Sequence, residues 1–239
     1  MRIIPVRYKI GFMTKIYVII ETPDSGAFNF FYDALHESSG NPCFFLLPEY
    51  LKKEAERKES LQNVAFYESV ENHLKSFSTN DNTDGDLLLF FSPYNDLSNQ
   101  FESLLSELTS EENYQLIRVI TFIDANLLHV VSNPIQTWID ATAHFSDALC
   151  ITNRSNENGA AVGRLFKRYE QMRYPMETYT IAISKKTQVT NILNSTTRRI
   201  SHIFDPVDML DDEENPEDDI YLRKLPSGNR EKYIPIPFL

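Results

Sequence analysis

The sequence predicts an α/β protein built on a mainly parallel β-sheet, and three observations carry that expectation. Short β-rich apolar runs recur along the chain. Most of them are continuous rather than alternating, as strands covered on both faces require. Segments of helical periodicity separate the runs, which is the arrangement of parallel strands joined by helical crossovers.

Taken in order, KIYVII at 15–20 is the first strong strand, and residues 26–38 follow it with helical spacing. CFFLLP at 43–48 is the second strand, with a helix expected over 50–58. NVAFYES at 63–69 reads as an additional edge strand, and 69–77 as a helix. DLLLFF at 86–91 is a continuous apolar strand ahead of a helix at 97–110. LIRVITFID at 116–124 leads to a helix over 126–145, and DALCIT at 147–152 to one over 158–173. ETYTIAI at 177–183 closes the alternation. After about residue 184 the pattern weakens, and the prolines of the closing YIPIPFL favour an extended strap over a helix. The expected organisation is an N-terminal extension at 1–13, an α/β domain at 14–184 and a C-terminal extension at 185–239.

A chain of 239 residues, 42% hydrophobic, can bury one sizeable core. The formal charge is −11, but residues 205–219 hold nine acids and no base, and without them −2 remains. An almost neutral body with a local acidic segment lacks the basic face that nucleic-acid binding needs. The acidic run itself reads as a solvated tail, or as a docking segment for a basic partner or for cations. Cys43 and Cys150 lie far apart, each in or beside an apolar run, and are expected as buried free thiols. No apolar stretch approaches the roughly 18 residues of a membrane span, and no signal-peptide pattern is present. A cytoplasmic protein is therefore expected, with neither membrane nor nucleic acid as partner.

Ligands of parallel sheets bind beyond the carboxyl ends of the strands. The first such place is ETPDSGAF, residues 21–28, between a strand and a helix. A phosphate-binding loop of the form G-x-x-x-x-G-K-[ST] uses glycines to expose backbone N–H groups, lysine to neutralise phosphate and a hydroxyl to hold magnesium. Here Glu21 takes the first glycine position, Gly26 the second, Ala27 the lysine and Phe28 the hydroxyl residue. Glu21 and Asp24 add negative charge where phosphate would sit, and Ser25 reads as an N-cap or part of the turn.

The layout resembles the CobW-like P-loop GTPases, a metallochaperone group that includes the nickel-insertion GTPases serving urease and hydrogenase. The resemblance spans about residues 14–182 and implies a three-layer P-loop NTPase-like fold. In that family a strand ends in E-T-S-G-L-A-D-P; matched to it, Phe90 stands at the acid, Phe91 at the threonine, Ser92 at the serine, Pro93 at the glycine and Asp96 at the aspartate. VITFIDA resembles the family's V-V-D-A, with Asp124 and Ala125 kept. CITNRSN resembles a remnant of the base-reading N-K-x-D, as Asn153, Arg154, Ser155 and Asn156. An amide at the last position has a single acceptor oxygen and gives up the paired contact to guanine. Of the family's Cys-x-Cys-Cys motif only Cys43 is near.

The resemblance, with these losses, implies a catalytically inactive pseudo-GTPase scaffold with a protein partner, without nucleotide or other cofactor and without a metal site. The alternative is a small-molecule or cation-binding protein, or an enzyme, using Glu21, Asp24, Asp96 and Asp124 as crevice acids. The aromatic set Phe28, Phe30, Phe31 and Tyr32 lines an emptied pocket or forms core on the first helix. The histidines at 36, 73, 129, 144 and 202 form no H-x-x-x-H pair, and G-x-S-x-G is absent. Arg164, Lys167, Arg168 and Arg173 recur at helical spacing, as a solvated face or as a site for an anion or for the chain's own acidic tail.

Overall fold

The computed structural model describes residues 13–35, 42–58, 61–68, 74, 85–110, 113–129, 132–182, 187–194, 196, 198–205 and 218–239. Seven strands form one sheet: β1 (Thr14–Glu21), β2 (Cys43–Pro48), β3 (Val64–Tyr67), β4 (Asp86–Phe91), β5 (Tyr114–Asp124), β6 (Ala148–Thr152) and β7 (Glu177–Thr180). Their order is β3-β2-β4-β1-β5-β6-β7, and every pairing is parallel. β3 is the edge strand that its short, polar-flanked sequence predicts.

Successive side chains of a strand point to opposite faces, so the continuous apolar runs feed two cores. Ile16, Val18 and Ile20 of β1 and Leu87, Leu89 and Phe91 of β4 face one core, covered by α3 (Leu97–Ser110), α4 (Asn133–Phe145) and α5 (Gly159–Gln171). Tyr17, Ile19, Leu88 and Phe90 face the other, covered by α1 (Ala27–Leu35), α2 (Lys52–Ala55) and α6 (Thr187–Asn194). The result is a three-layer α/β architecture. No helix among the described residues is long and apolar enough to cross a membrane.

Several elements differ from the expected spans. The segment expected as a helix over 126–145 is a 3-10 turn at Ala125–His129 followed by α4, which restarts where Pro134 occupies the first turn. The helix expected at 50–58 is a 3-10 turn, Glu49–Leu51, running into the four residues of α2. The helix expected at 69–77, apart from the buried Leu74, and most of the acidic run lie outside the described residues. Cys43 is half-buried rather than buried; Cys150 is buried, and both thiols are free. Burial, reinforced by Asp86, pushes the Cys43 thiol up to about 12. Gly85 opens β4 against Pro42, whose carbonyl oxygen would lie 2.3 Å from any added Cβ.

The C-terminal part packs into both cores. α6 buries Val189 and Ile192 beneath the sheet, and the fully buried Arg118 of β5 donates to the carbonyl oxygens of Ile192 and Thr196 at its end. Asp147, fully buried ahead of β6, accepts from the amides of Val119 and Arg198 and pairs with Arg199 at 3.1 Å. Arg199 also pairs with Asp205. Further on, Asp219 accepts from Ser201 at 2.6 Å, lies 2.8 Å from His144 Nε2, and precedes Tyr221, which is buried. Residues 223–231 close a tight hairpin with an antiparallel bridge between Lys224 and Arg230.

Removing one partner of a buried ion pair strands the other without water, at a cost of about 3–5 kcal/mol. Asp147→Ala, which takes one of two carboxylate partners from Arg199 and the acceptor from two amides, should therefore lower the unfolding free energy from urea titration by up to about that much, whereas Asp33→Ala, at a partly exposed pair with Lys58, should lower it less. Equal effects of the two substitutions would refute the anchoring role of Asp147.

Candidate functional site

The loops at the carboxyl end of the sheet meet over β1. Glu21, the last residue of β1, is 3% exposed and turns its carboxyl into the following loop. Its Oε2 accepts from the Ser25 hydroxyl at 2.6 Å, and its Oε1 from the Tyr50 hydroxyl at 2.7 Å. Ser25 Oγ in turn accepts from the Ala27 amide at 3.2 Å, at the start of α1. Asp24 and Gly26 both have positive φ, 61° and 72°, which lets five residues reverse from strand to helix. The loop thus closes around the chain's own carboxyl. Burial raises that carboxyl from the ordinary 4.5 to about 7, against the lowering effect of the two hydroxyl donors.

Under this loop two aromatic side chains meet. Phe28 on α1 and Phe90 at the end of β4 are fully buried, with ring centroids 6.3 Å apart and planes at 74°. Phe28 also packs on Phe45 and Tyr32, and Phe30 and Phe31 pack on Phe122. The aromatic set is core. The neighbouring position Phe91 points to the opposite core, against Phe101 of α3.

The β4–α3 loop is folded on itself. Gln100, fully buried, accepts from the Ser92 amide at 2.7 Å and donates to the Ser92 carbonyl at 2.9 Å. Pro93 is buried, and Asp96 caps α3 by accepting from the Asn99 amide at 2.9 Å. Tyr94 packs edge-on to Tyr50, ring centroids 5.2 Å apart, so this loop also touches the residue that holds Glu21.

On the other side, Thr22 Oγ1 accepts from the Asp124 amide at 2.8 Å, and Asp124 Oδ1 accepts from the Asn126 amide at 3.0 Å. Ala125 is buried. Asn153, at φ 52°, donates to the Asp24 carbonyl at 3.2 Å. The buried Asn158 joins this loop, donating to the Asn153 carbonyl and to Asn126 and accepting from the Ser155 amide at 2.7 Å. Arg154 and Asn156 are exposed and line an open groove of about 580 Å³ with Ser155, Thr180 and Ile181. A second groove, about 590 Å³, runs between α1 and α2 past Asp24, Asn29, Glu54 and Arg57.

The four crevice acids are spread over three loops and do not converge on one point. Glu21 faces inward, Asp96 and Asp124 cap backbone, and Asp24 is exposed. Among the described residues no three His, Cys, Asp or Glu side chains are grouped to hold a metal. Of the histidines, His129 is exposed, His144 and His202 contact Asp219 and Asp205, and His36 and His73 lie outside the described residues. Arg168 pairs with Asp140 at 2.7 Å, while Arg164, Lys167 and Arg173 are exposed. Tyr50, Gln100 and Asn158 were missed by sequence reasoning; each is an ordinary polar residue whose role depends on a partner that only the fold supplies.

No protein-family model matches the sequence, and no curated protein sequence does. Solved structures do match. A Zn(II)-bound triple mutant of the YjiA GTPase aligns over 71% of this chain with TM-score 0.53 and 15% identity. The chain has a P-loop GTPase fold. YjiA is a CobW-family GTPase, so the expected resemblance holds at the level of the fold. The Zn(II)-bound YjiA GTPase from E. coli aligns over the same share, at TM-score 0.49 and 16% identity. This chain spans 58% of the length of each.

The raised Glu21 carboxyl gives a pH test. Between about pH 4.5 and 7 the folded chain keeps a proton that the unfolded chain releases, so the contribution is full at low pH and declines as pH rises. Glu21→Gln should flatten this decline, while its single acceptor oxygen can keep only one of the bonds from Ser25 and Tyr50. Urea unfolding from pH 5 to 8 checks it; parallel curves for both proteins would refute it.

Proposed function

We propose that this protein is a pseudo-GTPase: a P-loop GTPase-like scaffold that does not turn over nucleotide and acts by binding another protein. The observation that carries the reading is the contact between Phe28 and Phe90. By the family resemblance these two positions match the loop hydroxyl and the switch acid that organise magnesium and its water. Magnesium takes oxygen ligands in tight octahedral geometry, and two aromatic rings offer none. Ala27 in place of the lysine leaves the phosphate charge without its usual partner.

Glu21 adds to this. Its carboxyl lies inside the loop, bonded to Ser25 and Tyr50, so an incoming phosphate would meet an acid that already uses the loop's hydroxyl donor. The alternative reading, a small-molecule or cation site made from Glu21, Asp24, Asp96 and Asp124, has less support because three of these carboxyls are already bonded to groups of their own loops or neighbours and Asp24 is exposed. The scaffold reading assigns the protein to the cytoplasm, where Cys43 and Cys150 would stay reduced.

A ligand that binds only the folded state must raise its melting temperature. Thermal unfolding with millimolar GTP, GDP or ATP, each with and without magnesium, should therefore show no shift. A magnesium-dependent rise with any of them would overturn the reading.

A further inference from the structure

We propose that the C-terminal hairpin is a lock on α3, and that through α3 it holds the β4–α3 loop in one shape. The Arg230 guanidinium reaches from the hairpin to the first two turns of that helix. Its Nη1 lies 2.8 Å from Glu102 Oε1, and its Nη2 donates to Glu102 Oε2 at 2.9 Å and to Asn99 Oδ1 at 2.7 Å. The Leu222 carbonyl, 3.1 Å from Nη1, fixes the same guanidinium to the hairpin. Lys224 adds a second cation at 3.1 Å from Glu102. A bidentate arginine–carboxylate pair is the strongest geometry for such a clamp, and the Arg230 side chain is only 11% exposed.

Between the two clamped residues lies Gln100, which turns the other way and holds both backbone groups of Ser92. Asp96 caps the helix onto Asn99, whose side chain Arg230 holds. The first turn of α3 therefore connects the hairpin to the loop without a gap: Arg230 to Asn99 and Glu102, the helix backbone to Gln100, and Gln100 to Ser92. The segments on either side of the hairpin are seated in the core beside α4, Tyr221 against His144 and Phe145 and Phe238 against Trp138.

By the resemblance, the loop so held stands where a nucleotide-sensing segment would respond to phosphate. Here its position is set from the far side of α3 by the chain's own C-terminal part. A partner that drew the hairpin away would release the loop, so the hairpin is the control point of this face. The lock does not depend on whether the scaffold binds nucleotide.

Hydrogen–deuterium exchange on the full chain tests it. Arg230→Ala should speed exchange of residues 92–102 by about tenfold or more, while β1 and β5 keep wild-type protection. Unchanged exchange at 92–102 alongside faster exchange at 220–232 would overturn the lock. So would a uniform rise that includes β1 and β5, because Arg230 would then support the whole domain. If Arg230→Ala fails to fold, Glu102→Gln, which weakens the pair and keeps its shape, is read by the same criteria. A nucleotide-induced thermal shift in the wild-type chain would sink the pseudo-GTPase reading and leave the exchange result standing.

Discussion

Burial of β1 on both faces is the constraint on which the rest of the structure depends. Seven of its eight residues are buried, and it pairs with β4 on one side and β5 on the other. A strand so enclosed has one place left for polar chemistry, its carboxyl end. Glu21 sits there, and the neighbouring loops organise around it: Tyr50 reaches over from the turn after β2, Tyr94 packs on Tyr50, and Thr22 bonds the end of β5. The polar groups that meet at this end are largely spent on one another. A buried donor or acceptor without a partner costs about 1–3 kcal/mol, so these mutual bonds make the closed arrangement stable without a ligand.

Much of the fold was legible because parallel strands write themselves as unbroken apolar runs. LLLFF in β4 and YVII in β1 need both faces covered, and a sheet between two helical layers supplies that. The loop positions could also be named, since each falls directly after a strand. Their partners could not. Tyr50 lies 29 residues from Glu21, and Arg199 lies 52 from Asp147. Nothing in the local sequence marks either pair, because polar side chains choose partners by position in space. α6 escaped for a different reason: eight residues with two buried apolar positions give too short a pattern to read.

The charge distribution follows the same division. Among 34 acids and 23 bases, the bases that matter structurally are turned inward. Arg118 sits in an apolar strand and bonds carbonyl oxygens at the end of α6, where the helix dipole is negative. Arg199 bonds Asp147 and Asp205, and Arg230 bonds Glu102. These three cations tie the C-terminal part to β5, to the start of β6 and to α3. What the sequence presents as a weakly patterned ending is held by these charges together with scattered apolar anchors, among them Val189, Ile192, Tyr221 and Ile234, rather than by one periodic apolar face.

The Phe28–Phe90 contact also limits how these two positions can change. The two rings fill one apolar volume with Phe45 and Tyr32. A carboxylate introduced at residue 90 alone would be an unpaired charge buried against Phe28, and a hydroxyl introduced at residue 28 alone would leave a polar group and a void beside Phe90. Either single change is destabilising, so polar groups could enter this volume only at both positions together. The two positions are therefore coupled: neither tolerates a polar side chain while its partner keeps its ring.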